Sequence, residues 1–142
     1  MSLIYTIKTR RFEDILNQGA RIALTGIVPA LITDGVIQPG GVERNIVVTG
    51  WALSSSSNTD VLVSLGFKVS GKPTVAFASA YVKSGSSMTM IYPLGDERYG
   101  DSAGSLVITT NGGPVVYTIN GRIIAEKVGL GYIQRTDING IP

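Results

Sequence analysis

Five consecutive pieces decide the fold: NIVVTGWALS at 45–54, the polar break SSSSNTD at 54–60, VLVSLGFKV at 61–69, the turn SGKP at 70–73 and TVAFASAYV at 74–82. Each apolar piece is one strand long and rich in β-branched or aromatic residues. Each break is built of Ser, Asn, Asp, Gly or Pro, which bend chains. The pattern predicts antiparallel β structure. Val61, Val63, Leu65 and Phe67 are uniformly large against the mixed Leu62, Ser64, Gly66 and Lys68, the alternation of a strand with one buried face. In the first piece, Ile46, Val48, Gly50 and Ala52 alternate with Val47, Thr49, Trp51 and Leu53, so apolar residues fall on both faces and cover is expected on both. The third piece places Val75, Phe77 and Tyr81 on one face. Thr74, Ala76, Ala78 and Ala80 fall on the other, where small side chains suit close packing against another surface.

Working outward, 21–28 and 30–33 read as two short strands separated by a bend at Pro29. Asp34-Gly35 and Gln38–Gly41 read as turns. Beyond 82, KSGS leads to a strand in which Met88, Met90 and Tyr92 alternate with Thr89 and Ile91. The loop LGDERYGDSAG follows, then SLVITT, PVVYTIN and RIIAEKV, with Asn111-Gly112 read as a hairpin turn and Gly121 as a break. About seven strands after 44, with no amphipathic helix between them, fit a sandwich or jelly roll. The first residues alternate as Leu3, Tyr5 and Ile7 against Ile4, Thr6 and Lys8, an extended arm unlike a cleavable leader. Phe12, Ile15 and Leu16 add one possible helical turn before Gly19. The expected division is an arm with lead-in strands over 1–41, a sandwich over 42–128 and a tail over 129–142.

Composition narrows function by exclusion. The 142 residues contain neither cysteine nor histidine, which removes disulfides, thiolate and imidazole metal sites and the Ser-His-Asp and Cys-His arrangements. A net charge of +2 is too small to suggest nucleic acid or an anionic membrane as partner. Hydrophobic residues reach 44%, charged residues only 15% and mean hydropathy +0.26, while no uninterrupted apolar run is long enough to span a bilayer. The surplus of apolar surface points to contact with other protein.

Individual clusters read structurally. Asp96, Glu97 and Asp101 share a loop, but Arg98 interrupts the spacing a calcium loop needs, and neighbouring loop carboxylates rarely oppose each other across a cleft. An ordinary loop with a local Arg98 ion pair is expected. Gly129 and Gly131 lack the helix and Lys of a phosphate cradle. Trp51, Phe67, Phe77, Tyr81, Tyr92 and Tyr117 fall about one per strand and are expected to point inward, as core rather than as a ligand platform. No catalytic residue, cofactor, metal or small-molecule substrate is expected.

The order of pieces over 45–128 resembles a small jelly-roll domain of tailed-bacteriophage structural proteins. The resemblance rests on the strand NIVVTGWALS, its small-polar loop, VLVSLGF, the glycine-bearing loop LGDERYGDSAG, Gly104 and Leu106 where SLVITT begins, and Tyr117 near the end of PVVYTI. It implies an all-β antiparallel sandwich of jelly-roll type, to which the alternation of the first residues, outside the resemblance, adds an extended N-terminal arm. It further implies a non-enzymatic virion component, made in the host cytoplasm and placed on the outer capsid surface as a decoration or cement protein on the major capsid protein. The alternative is a receptor- or glycan-binding module of a tail fibre, using loops 54–60 and 95–104. Trimers are frequent in that family, and Ala76, Ala78 and Ala80 would then be buried about the three-fold axis. The arm residues Leu3, Tyr5, Ile7, Arg10, Arg11 and Phe12 complete the expected interface.

Overall fold

The computed structural model of the chain describes residues 19–125. The expected arm over 1–18 with its helical turn, and the expected tail over 129–142, lie outside the described residues. Among the described residues nine strands follow one another: β1 (Ala20–Val28), β2 (Ile32–Gln38), β3 (Arg44–Ser55), β4 (Val61–Lys68), β5 (Val75–Val82), β6 (Ser87–Ile91), β7 (Arg98–Tyr99), β8 (Ser105–Thr110) and β9 (Val115–Ala125). One sheet has the order β1-β9-β3-β6, with the short β7 on the same edge of β3 as β6; the other has the order β2-β8-β4-β5. All pairs are antiparallel.

Setting β7 aside, the first main strand pairs with the last, the second with the next to last, β3 with β6, and β4 with β5. The chain is thus one long hairpin, doubled back at the 69–74 turn and rolled so that β9 meets β3 and β8 meets β4. That connectivity is a jelly roll. Only β4 to β5 stays within one sheet; every other step between main strands crosses to the opposite sheet.

Three expectations change as a result. The strands of 20–38 are integral to the sandwich, β1 against β9 and β2 against β8, so the described sandwich starts at Ala20 and not at residue 42. Asn111-Gly112 is no hairpin, because β8 and β9 belong to different sheets; the chain crosses there through a cis Gly113–Pro114 bond. Asp34-Gly35 is not a turn between strands but an irregularity inside β2, where the register shifts between Ile32 and Gly35 and Asp34 has a φ of 50°. Threonines clamp it: Thr74 Oγ1 donates to Asp34 Oδ1 at 2.8 Å, and the Asp34 amide donates to Thr109 Oγ1 at 3.0 Å.

The core lies between the sheets. Val61, Val63, Leu65 and Phe67 of β4 fill one side with Leu106 and Ile108 of β8, facing Val115 and Ile119 of β9 and four residues of β3. Those four are Ile46, Val48, Trp51 and Leu53, which no single alternation can unite. The register against β9 shifts between Val48 and Gly50, so Thr49 is an extra residue that rotates the rest of the strand by one face. The two-faced look of NIVVTGWALS is the trace of that bulge. Val47 is fully buried too, but on the outer face of the sheet, with Tyr99 and Arg122 as its cross-strand neighbours.

A second bulge corrects β5. Leu65 pairs Ala78 and Gly66 pairs Ala76, leaving Phe77 as the extra residue. Beyond it Ala78, Ala80 and Val82 face inward, opposite Leu65, Val63 and Val61, whereas Ser79 and Tyr81 face outward; Tyr81 is exposed. The expected grouping of Val75, Phe77 and Tyr81 on one face therefore breaks. Gly121, expected to interrupt, lies within one continuous β9: a methyl there would run into the Val47 carbonyl oxygen, so glycine serves close approach rather than a turn.

Candidate interaction edge

No three acidic side chains gather as an ion-binding set among the described residues. The 95–104 loop is instead tied down onto the first sheet. Glu97 Oε1 accepts from the Gly95 amide at 2.9 Å, its Oε2 lies 3.9 Å from Arg122 Nη1, and Arg122 Nη2 donates to Tyr99 Oη at 3.3 Å. Arg98, expected to pair with an acid, sits 4.5 Å over the ring of Tyr92, a cation–π contact. Beside this tie, Arg21, Ala23, Thr49, Asn120 and Arg122 line an open groove of about 660 Å³ on the outer face. Arg21 and Arg122 stand directly opposite one another there.

The surface stands out at β6. All five of its residues, Ser87–Ile91, are exposed, and no described strand pairs its outer edge. Both ends of the strand are nevertheless fixed. At the start, Ser86 O accepts from the Ser55 amide at 3.0 Å, and Ser84 Oγ donates to Ser57 O at 2.6 Å. At the end, the Tyr92 amide donates to Thr49 O at 2.9 Å, its hydroxyl accepts from Trp51 Nε1 at 3.0 Å, and its ring meets Phe77 edge-on, which in turn stacks on Phe67. An edge held at both ends keeps its backbone groups in strand geometry before any partner arrives, which lowers the ordering cost of pairing.

The side chains of β6 divide by face. Met88 and Met90 lie opposite Leu53 and Trp51 on the inner side, overhanging the seam between the sheets and still 38% and 42% exposed. Thr89 and Ile91 point outward, and Leu94 just beyond is 94% exposed. The remaining sheet edges are better defended. Strand β1 carries Arg21 and an internal glycine, β2 is bulged twice, and β5 is bulged at Phe77, whereas β6 has no charge, proline, glycine or bulge.

Of the residues singled out in the sequence, Leu3, Tyr5, Ile7, Arg10, Arg11 and Phe12 lie outside the described residues. Ala76 is exposed on the outer face, but Ala78 and Ala80 are half-buried and face inward, so the three alanines form no common outer patch. The loops 54–60 and 95–104 do not meet either. The first closes the end of the sandwich where Ser84 and Asn111 lie; the second runs along the first sheet to the other end, where the Ala103 amide donates to Arg44 O at 3.0 Å. Sequence reasoning passed over β6 as an interface. The available signal was the absence of any charge or proline from Ser84 to Tyr92.

No protein-family model matches the chain, and no curated protein matches it. Among solved structures, it is similar to a Bacillus endospore appendage protein, from a family described as disulfide-linked pili, at 15% identity and a TM-score of 0.47 over 75% of this chain and 87% of that one. It is also similar to the virus-like particle protein of the extra small virus of the giant freshwater prawn Macrobrachium rosenbergii, at 14% identity and a TM-score of 0.32 over 71% and 77%. At these values neither likeness carries an inference about this chain.

Proposed function

We propose that the chain is a non-enzymatic structural subunit of an assembly, and specifically a virion protein that decorates and cements the capsid by binding the major capsid protein on its outer surface. The observation that carries the assembly role is β6, a rigid, uncharged strand edge that no other described strand pairs, beside exposed Met88, Met90, Ile91 and Leu94. A sheet edge binds other chains through backbone hydrogen bonds and needs no specialised side chains. The capsid placement follows the resemblance drawn from the strand order over 45–128. In it the sandwich projects outward and Met1–Gln18 lies on the shell, so that contacts available only on the assembled shell hold it closed by mass action.

The receptor-binding alternative draws less support, since the loops 54–60 and 95–104 sit at opposite ends of the sandwich and offer no joint reading surface. The three-fold arrangement loses its ground as well, with Ala78 and Ala80 turned inward. The test is electron microscopy of particles from the producing cells, labelled with antibody against the sandwich. Label over the shell supports the capsid reading, label confined to the tail supports the adhesin, and particles devoid of the chain overturn both.

A further inference from the structure

The geometry points to β6 as a two-fold joint between two copies of this chain, paired antiparallel about Thr89. This deepens the assembly reading and rests on it, naming the partner of that edge as a second copy.

The backbone fixes the register. The Tyr92 amide donates to Thr49 O and Ser86 O accepts from the Ser55 amide, so residues 86, 88, 90 and 92 turn their backbone groups toward β3. By alternation Ser87, Thr89 and Ile91 turn theirs toward the open edge. An antiparallel copy centred on Thr89 sets Thr89 against Thr89 and Ser87 against Ile91. Every outward N–H and C=O of the three residues then finds a partner. A shift by one residue would set outward groups against inward ones and satisfy none of them.

The side chains agree with that register. Met88 of one copy falls opposite Met90 of the other as a non-hydrogen-bonded pair, the closer kind, so the exposed thioethers at the two seams cover each other. Charge does not oppose the antiparallel sense. Each end of β6 carries both signs, exposed Lys83 with Asp60 beside Ser84 at its start and exposed Asp96 with Arg98 over Tyr92 at its end, so no block of like charge meets across a two-fold, antiparallel joint. Nothing within β6 itself repels a second β6.

Sedimentation equilibrium and oxidative cross-linking of the full chain test the joint. The wild-type chain is expected to show a species of twice the 15.0 kDa protomer mass. Thr89→Lys sets two ammonium groups face to face across the axis and is expected to weaken dimerisation at least about tenfold. Because Thr89 is exposed, the circular dichroism of the variant should match wild type, and its melting should match that of wild type diluted until the joint has come apart, which separates loss of the joint from loss of the fold. Since the chain has no cysteine, Thr89→Cys should close a single disulfide-linked dimer on oxidation, while Ser79→Cys on the outer face of β5 should not. A chain that is monomeric up to near-millimolar concentration, a dimer indifferent to Thr89→Lys, or equal cross-linking through both cysteines would overturn the proposal. The capsid placement could fail by imaging while the dimer stands, and the dimer could fail while the chain is still found on the shell, so the two outcomes are distinguishable.

Discussion

Trp51 and Tyr92 are joined by a buried hydrogen bond, the indole Nε1–H donating to the phenolic oxygen at 3.0 Å, and this contact ties the end of β6 to the core of its own sheet. Tyr92→Phe keeps the ring but leaves a buried N–H unsatisfied, at an expected cost of about 1–2 kcal/mol. Urea unfolding followed by the fluorescence of Trp51, the chain's sole tryptophan, measures it directly.

Gly121 sits where β9 crosses the bulge of β3, with the Val47 carbonyl in the space a side chain would need. Both elements are central, so neither can give way cheaply. Gly121→Ala is expected to cost at least about 3 kcal/mol or to prevent folding, seen as loss of the thermal transition.

Leu65 and Leu94 are the same residue type in opposite surroundings, 1% and 94% exposed. Leu65→Ala should lower stability by about 2–5 kcal/mol through the cavity it leaves. Leu94→Ala should change it by less than about 0.5 kcal/mol. Comparable losses at both sites in denaturant titrations would contradict the sandwich described.

Glu97 and Arg122 hold the 95–99 segment on the outer face, with side chains only 6% and 20% exposed. Arg122 Nε is already buried without a partner. Glu97→Gln keeps an acceptor for the Gly95 amide but strips Arg122 of its counter-charge, and is expected to cost about 1–3 kcal/mol with little sensitivity to salt. Protease sensitivity between Pro93 and Asp101 should rise in parallel.

The sequence showed the strands more clearly than it showed their faces. Val61, Val63, Leu65 and Phe67 read correctly because β4 lies mid-sheet with its alternation unbroken up to Phe67. Bulges at Thr49 and Phe77 each add one residue, and one residue reverses every later side chain, which is why Tyr81, Ala78 and Ala80 were expected on the wrong faces. Asn111-Gly112 reads as a hairpin because turn chemistry is local, whereas the sheet a strand joins is decided by partners far along the chain. The same holds for the lead-in strands, whose mates β8 and β9 lie near the other end of the described chain. The β6 edge escaped notice because a short strand of Ser, Met, Thr and Ile carries no chemical motif. Its meaning appears only once its neighbour on one side, and openness on the other, are known.

Hydrogen exchange at the amides of Ser87, Thr89 and Ile91 tests the account most directly, because these three N–H groups point away from β3 and can be protected only by another strand laid along β6. In the full-length chain at high concentration they are predicted to exchange slowly, as slowly as the Met90 amide that faces β3, and to become fast on dilution or in the Thr89→Lys variant. Fast exchange at all three under every condition, with Met90 still protected, would contradict the claim that β6 is the edge through which this protein assembles.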